Sequence, residues 1–427
     1  MALNSYERKF LSDIIAIPSV GGDPEPGCPY GKESRRVLQF FLDEAASNGF
    51  RTGVIDDKVG YVEFGTGDRM IGIVCHLDVV PAGQGWKTDP FKLEEIDGKY
   101  YGRGIVDDKG PACTAYFAMK RLLDAGKVPN NRIRLILGSD EERTCDCVET
   151  YAAKGEIPDF AITPDAEFPV IFAEKGILQI KIKGKGNDKI TANGGGAPNM
   201  VPASFELSYE GNTFRTEGVS AHASRPYLGT NAILKSFDSY DDQLIAASPI
   251  LSFIKDNILG KDYAEYTGCS INDESGTVTA NPAIVNIDAD SESLVIDIRY
   301  PVTSDSNAII DHITGKASAY GLEVEVFTNM APLYKSTDSE EIKALTFIWN
   351  KYIDQYQEFK PEYREMYSEP LAIGGGTYAR HMPNTIAFGM QAPWVEDQCH
   401  QANECMYVSD FELNIKILTE AMEALCQ

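Results

Sequence analysis

Three short apolar runs organise the first part of the chain: MIGIVCH at 70–76, RIRLILG at 132–138 and FAIT at 160–163. Unbroken runs of this length suit strands covered on both faces, the habit of a parallel sheet. Between them the pattern takes a helical period. ESRRVLQFFLDEAAS carries its apolar residues at that spacing and runs into Asn48-Gly49, a stop signal. PACTAYFAMKRLLDAG is apolar at 112, 115, 116, 119, 122 and 123, with Pro111 in its first turn and Gly126 at its end. In FKLEEIDGKYYGRG, Asp97-Gly98 predicts a tight hairpin. Strands alternating with helices predict an open α/β sheet.

Near residue 180 the pattern changes. QIKIKGKGNDKI alternates polar and apolar positions, as a sheet with one solvated face does. From there to about 331 the strands read as short, with one helix near 230–239 and a further strand at LVIDIRY, 294–300. Helical and buried-strand signals return in EEIKALTFIWNKYID, NTIAFGM and LNIKILTEAMEAL. The pattern therefore predicts an α/β domain over 1–180 and 332–427, interrupted by a smaller α+β domain over 181–331. A length of 427 residues fits two or three domains.

Charge narrows the partners. With 39 basic and 64 acidic residues the formal net charge is −25, which repels nucleic acid and anionic membrane, and no local basic patch offsets it. Nine cysteines are too few and too odd in number for a disulfide framework. The start, MALNSYERKFLSDII, lacks a basic region followed by an apolar run and a small-residue cleavage site, and no stretch approaches a membrane span. These features predict a soluble, reduced, cytoplasmic protein.

The acids and histidines near strand ends carry the chemistry. The five histidines are 76, 222, 312, 381 and 400. His76 closes the first apolar run, and ligands gather beyond the carboxyl ends of strands in such sheets. Asp78, two residues on, shares its side in extended chain and could hold the second ring nitrogen. Asp107 and Asp108 precede the helix at Pro111, where acids also favour the helix dipole. Glu141 and Glu142 follow RIRLILG, where Ser139 and Glu142 could equally form a capping box. Asp165 closes FAIT, and His400 lies in CHQANE. Two imidazoles and three carboxylates (His76, His400, Asp107, Glu142, Asp165) suit a pair of borderline cations, zinc first, with manganese or cobalt as alternatives. No thiolate belongs to the set, and Cys145-x-Cys147 has no second pair to complete a structural zinc site.

HLDVVP, GRGIVDDKGP, SDEER, PDAEFP, NMVPA, SAHAS, DIRYP, GGGTYAR and HQANE occur in that order. The ordered set resembles the co-catalytic dinuclear-zinc metallopeptidase family of aminoacylases, acetylornithine deacetylase and carnosinases, in its bacterial dipeptidase V branch of Xaa-His and β-Ala-Xaa dipeptidases, over about residues 8 to 425. The resemblance implies a phosphorylase/hydrolase-like α/β catalytic domain with a mostly parallel sheet and an inserted α+β lid, or dimerisation-like, domain. It implies that His76, Asp107 and Asp165 hold one metal and that Asp107, Glu142 and His400 hold the other. Asp78 would orient His76, Glu141 would be the general base, and the Asp107–Asp108 peptide would be cis. His222 would face the scissile carbonyl oxygen, while Asn199, Arg299 and the Gly374-Gly375-Gly376 turn would hold the substrate's terminal carboxylate.

Two departures stand out. Arg143-Thr144 follow the paired glutamates where the family often has glycine. The segment between Asn199 and His222 is short for the dipeptidase V branch, which leaves monomer and homodimer both open, and with them whether His222 serves its own site or a partner's. The expected activity is metal-dependent hydrolysis of a dipeptide, with closure of the inserted domain over the metals. An N-acyl amino-acid deacylase and a metal-dependent binding protein without turnover are the alternatives; retention of Glu141 argues against the second.

Overall fold

Strand Met70–His76, buried at all seven positions, lies in the middle of the principal sheet. The computed structural model describes residues 3–426, so positions 1, 2 and 427 of the expected catalytic domain lie outside the described residues. The chain divides into two units. One runs to Phe172 and takes up Lys335–Leu371 and the chain from Thr377; the other comprises Ala173–Tyr334 and Ala372–Gly376.

In the first unit the strands run, from one edge, Arg51–Ile55, Val59–Phe64, Arg132–Gly138, Met70–His76, Phe160–Thr163, Thr385–Phe388 and Val170–Glu174. The four from Arg132–Gly138 to Thr385–Phe388 are mutually parallel, and their neighbours on either side are antiparallel. The three unbroken apolar runs are thus the parallel strands. On one face of the sheet Val74, Ile136 and Ala161 pack with Val148, Tyr151 and Tyr378. Val74 and His76 share that face through the two-residue period of a strand. Helices Lys109–Asp124 and Val408–Leu425 pack on each other, with Ser5–Ile15 against the first and Glu340–Tyr352 against the second. The hairpin forms as expected, Glu94–Ile96 with Lys99–Tyr101, both turn residues taking positive φ, 49° at Asp97 and 74° at Gly98.

The second unit is a seven-stranded, wholly antiparallel sheet in the order Asn212–Glu217, Ser204–Tyr209, Ile190–Gly194, Thr279–Ile287, Ser291–Tyr300, Gly176–Lys185 and Glu323–Met330. Leu178, Ile180 and Ile182 alternate into its core and meet Leu294, Ile296 and Ile298 of the next strand. The expectation of a single helix here is corrected. Ala232–Ser236 falls in the expected place, but Asp242–Ala246, Pro249–Asn257, Tyr263–Thr267 and Ser306–Ser318 are helical as well. Most are too short for a helical period to stand out. Their caps carry the local signal: the Asp241, Ser248, Asp262 and Asp305 side chains each accept a first-turn N–H. Among the described residues, no helix is long and apolar enough to cross a membrane.

Candidate metal centre

Three parallel strands end side by side, and each delivers an acid or a histidine to the same place. His76 is the last residue of its strand, Glu141 and Glu142 follow Arg132–Gly138, and Asp165 follows Phe160–Thr163. The Ser139–Glu142 capping box does not form: the next helix starts only at Asp146, and Ser139 Oγ donates to the Lys58 carbonyl at 2.6 Å. Glu142 is therefore free of a capping role.

Asp107 sits between the two imidazoles. Its Oδ1 is 3.0 Å from His76 Nε2 and its Oδ2 is 3.1 Å from His400 Nε2. His400 Nε2 is also 2.9 Å from the Glu142 carboxylate. His76 Nε2 lies 3.6 Å from Asp165 and 3.9 Å from Glu141. The Asp107–Asp108 peptide is cis. His76, Asp107 and Glu142 form one potential metal-binding group, and His76, Asp108 and Asp165 another. All five residues expected to hold metal thus come together.

The surroundings explain the charge states. Burial alone would raise the Asp107 carboxyl, but hydrogen bonds from His400 and His76 outweigh it and hold it well below the usual carboxylate range. Burial opposes charge on His76, yet the Asp107 and Asp78 contacts carry its pKa well above the ordinary value. Hydrogen bonds to Asp107 and Glu142 push His400 up to about 10. Burial, and then the Asp107 charge, drive Asp165 upward. Burial also raises Glu141, with His76 pulling the other way and Glu142 and Asp107 reinforcing it.

This donor set fits divalent cations. Asp108 Oδ1 and Glu142 Oε1 are buried without hydrogen-bond partners, and His76 Nε2 faces only the carboxylate oxygens of Asp107, Asp165 and Glu141. Four carboxylates crowded about two imidazoles carry an excess of negative charge that a half-enclosed site holds only if it is neutralised.

Asp78 acts differently from the simplest expectation. His76 Nδ1 is 3.0 Å from the Asp78 backbone carbonyl and 3.5 Å from its carboxylate. The carboxylate instead accepts the N–H of Glu141 at 3.1 Å and of Glu142 at 3.2 Å. Asp108 accepts the backbone N–H of His76 at 2.8 Å, and the ring of Tyr378 meets the His76 ring edge-on at 5.8 Å. The sequence reading did not give Asp108 or Tyr378 a role. Asp108 was legible only as the second of a pair, and Tyr378 only as a residue of GGGTYAR.

The second unit gathers the residues expected on the substrate side. The Asn199 carbonyl accepts the Ala223 N–H at 2.8 Å, next to His222. His222 Nδ1 lies 2.7 Å from Ser224 Oγ and accepts the Ser224 N–H at 3.1 Å, contacts that suit a neutral ring with its proton on Nε2. Burial lowers the pKa of His222 and the Arg299 charge lowers it further, which favours that neutral form. Arg299 donates through Nε and Nη2 to Asp297 at 2.6 and 2.9 Å and through Nη1 to the Gly374 carbonyl at 2.9 Å. A Cβ at Gly374 would come within 2.9 Å of Ser224 Cβ, so the close approach requires glycine. Gly375 and Gly376 belong to the same unit. Asp297 and Ser224, the partners that fix Arg299 and His222, were not singled out by sequence; each lies two residues from the side chain it holds.

A buried histidine and carboxylates beyond the ends of parallel strands, with Asp107 between that ring and the exposed ring of His400, make a site suited to divalent metal. The profile of Peptidase family M20/M25/M40 matches residues 72–424, and the chain belongs to that family. The putative dipeptidase YtjP of Bacillus subtilis is 31% identical over 443 residues, covering 94% of this chain and 93% of the relative. Among solved structures, the aminoacylhistidine dipeptidase of Vibrio alginolyticus superposes with a TM-score of 0.64 at 14% identity, over 100% of this chain and 97% of the other. The Bacillus subtilis YXEP protein, a dinuclear metal binding peptidase of the M20 family, superposes with a TM-score of 0.55 at 12% identity over 99% and 98%.

Proposed function

We propose that this chain is a metal-dependent dipeptidase that holds two zinc ions and cleaves the amide bond of a dipeptide. The observation that carries the reading is Asp107, whose two oxygens lie 3.0 and 3.1 Å from His76 and His400, side chains from opposite ends of the sequence. His76, Asp107 and Asp165 would hold one cation, and Asp107, Glu142 and His400 the other. When bound, such a pair makes water acidic near neutral pH and polarises a carbonyl oxygen. The ligands are imidazole and carboxylate without thiolate, which suits zinc, with manganese or cobalt as substitutes.

Glu141 takes the proton of the attacking water and later delivers it to the departing amine, a transfer typically worth about 10²–10⁴-fold. His222, neutral with its proton on Nε2, donates a hydrogen bond to the developing oxyanion. Arg299 is preset by Asp297, and its three hydrogen bonds leave one N–H on each terminal nitrogen, a fork that matches the substrate's terminal carboxylate. Asn199 and the Gly374–Gly376 turn line the same side. In this reading residues 1–180 and 332–427 form the catalytic domain and 181–331 the inserted lid or dimerisation-like domain. Dipeptides are favoured over other amides because the relatives named above are a putative dipeptidase and an aminoacylhistidine dipeptidase. Nine unpaired cysteines support work in a reduced compartment, the cytoplasm.

A panel of dipeptides set against acetyl- and succinyl-amino acids, run before and after chelation, tests the proposal. Chelator-sensitive cleavage of dipeptides is expected. Preference for the acylated amino acids would make the protein a deacylase, and turnover that survives complete metal removal would overturn the mechanism.

A further inference from the structure

Glu404 is fully buried four residues after His400, and the hydrolysis described above gives it no task. Its carboxylate crosses to the loop that carries Asp107. Oε1 accepts the N–H of Val106 at 2.7 Å, of Gly104 at 3.1 Å and of Asp107 itself at 3.2 Å. Oε2 accepts the Gly104 N–H at 3.0 Å and Arg103 Nη1 at 2.8 Å. The Glu404 carbonyl accepts the Gly102 N–H at 3.2 Å. Arg103 is buried too: its Nη2 donates to the Ala82 carbonyl at 3.2 Å, and its guanidinium lies 5.2 Å from the Trp86 ring centroid.

The loop needs this partner. It leaves the hairpin at Tyr101 and enters a helix at Lys109, so neither a strand ladder nor a helix supplies acceptors for the N–H groups of Gly104, Val106 and Asp107. One carboxylate satisfies all three. A buried ion pair is a weak source of stability, because desolvation consumes most of its attraction. What this pair does supply is geometry. The segment holding His400 and the segment holding Asp107 are almost 300 positions apart in sequence, and Glu404 joins them through the backbone nitrogen of Asp107.

We propose that Glu404, backed by Arg103, is a positioning residue that holds Asp107 and His400 in register for the shared metal pair. The inference rests on the dinuclear reading above. Outer partners of metal ligands typically contribute about 10–100-fold to affinity. The test is a cobalt(II) titration of the metal-free protein and its Glu404→Gln variant, following visible absorption and heat of binding, with circular dichroism and melting of both metal-free forms. The substitution keeps the shape but removes the charge and one acceptor. Where it lowers the melting temperature, the titration is run below that transition.

The expected result is a folded variant whose cobalt affinity falls by about 10–100-fold and whose visible spectrum changes. A variant with the parent's affinity and spectrum overturns this inference alone, even if it melts earlier, since its role is then only structural. A parent chain that takes up no cobalt overturns the dinuclear reading and this inference together.

Discussion

Asp78 and Glu141 are joined across 63 positions of sequence by a hydrogen bond of 3.1 Å, from the Glu141 N–H to Asp78 Oδ1. The second oxygen of Asp78 takes the Glu142 N–H, so one carboxylate sets the turn bearing the proposed base, Glu141, and the proposed metal ligand, Glu142. Asparagine offers one acceptor where two are needed. Asp78→Asn is therefore expected to weaken metal affinity by about 10–100-fold and to lower kcat with it. Unchanged metal affinity and kcat in this variant would show that the turn holds its shape without Asp78.

Glu141 is expected to matter for proton transfer and not for metal uptake. Glu141→Gln keeps the size and loses the base, so the metal content should stay that of the parent while kcat falls by about 10²–10⁴-fold. Mass-spectrometric metal analysis beside steady-state kinetics on one dipeptide checks both halves. Retained turnover would remove Glu141 from the mechanism.

In the proposed mechanism His222 has a narrower task. Ser224 leaves its Nδ1 as an acceptor and its Nε2 as a donor, which suits an oxyanion and not a proton relay. His222→Ala should lower kcat by about 10²–10³-fold with a smaller change in KM. A loss confined to KM would instead make His222 a residue for substrate binding.

Asp410 gives a prediction about stability against pH. Burial, opposed by hydrogen bonds from the Gln357 N–H and Ser409, raises its carboxyl from 3.8 to about 6. The folded chain thus holds this proton more tightly than the unfolded chain. The resulting stabilisation is complete below about pH 4 and is lost as the pH rises through about 6. Asp410→Asn, which keeps an acceptor for the Gln357 N–H, should gain up to roughly 3 kcal/mol at pH 7 and nothing at pH 4. Denaturation curves at the two pH values measure the difference; an equal effect at both would mean that ionisation is not its source.

Much of the first unit was legible because parallel strands announce themselves as unbroken apolar runs. Met70–His76, Arg132–Gly138 and Phe160–Thr163 each coincide with one, and the acids of the metal centre sit directly beyond them. The edge strand Arg51–Ile55 and its neighbour Val59–Phe64 carry no comparable run and leave no such signal in the sequence. In the inserted unit the short helices leave no period in the sequence, because a segment such as Asp242–Ala246 is shorter than two helical periods. The supporting residues were hidden for another reason. Glu404, Asp297 and Ser224 act through a partner that only the folded chain brings near, and nothing in an isolated string says which N–H or guanidinium a carboxylate will meet.

The central claim is that two divalent cations share Asp107, and counting bound metal tests it most directly. Equilibrium dialysis followed by elemental analysis should find two cations per chain in the parent protein and one or none in Asp107→Ala. A parent that saturates at one cation, or an Asp107→Ala variant that still binds two, would contradict the account.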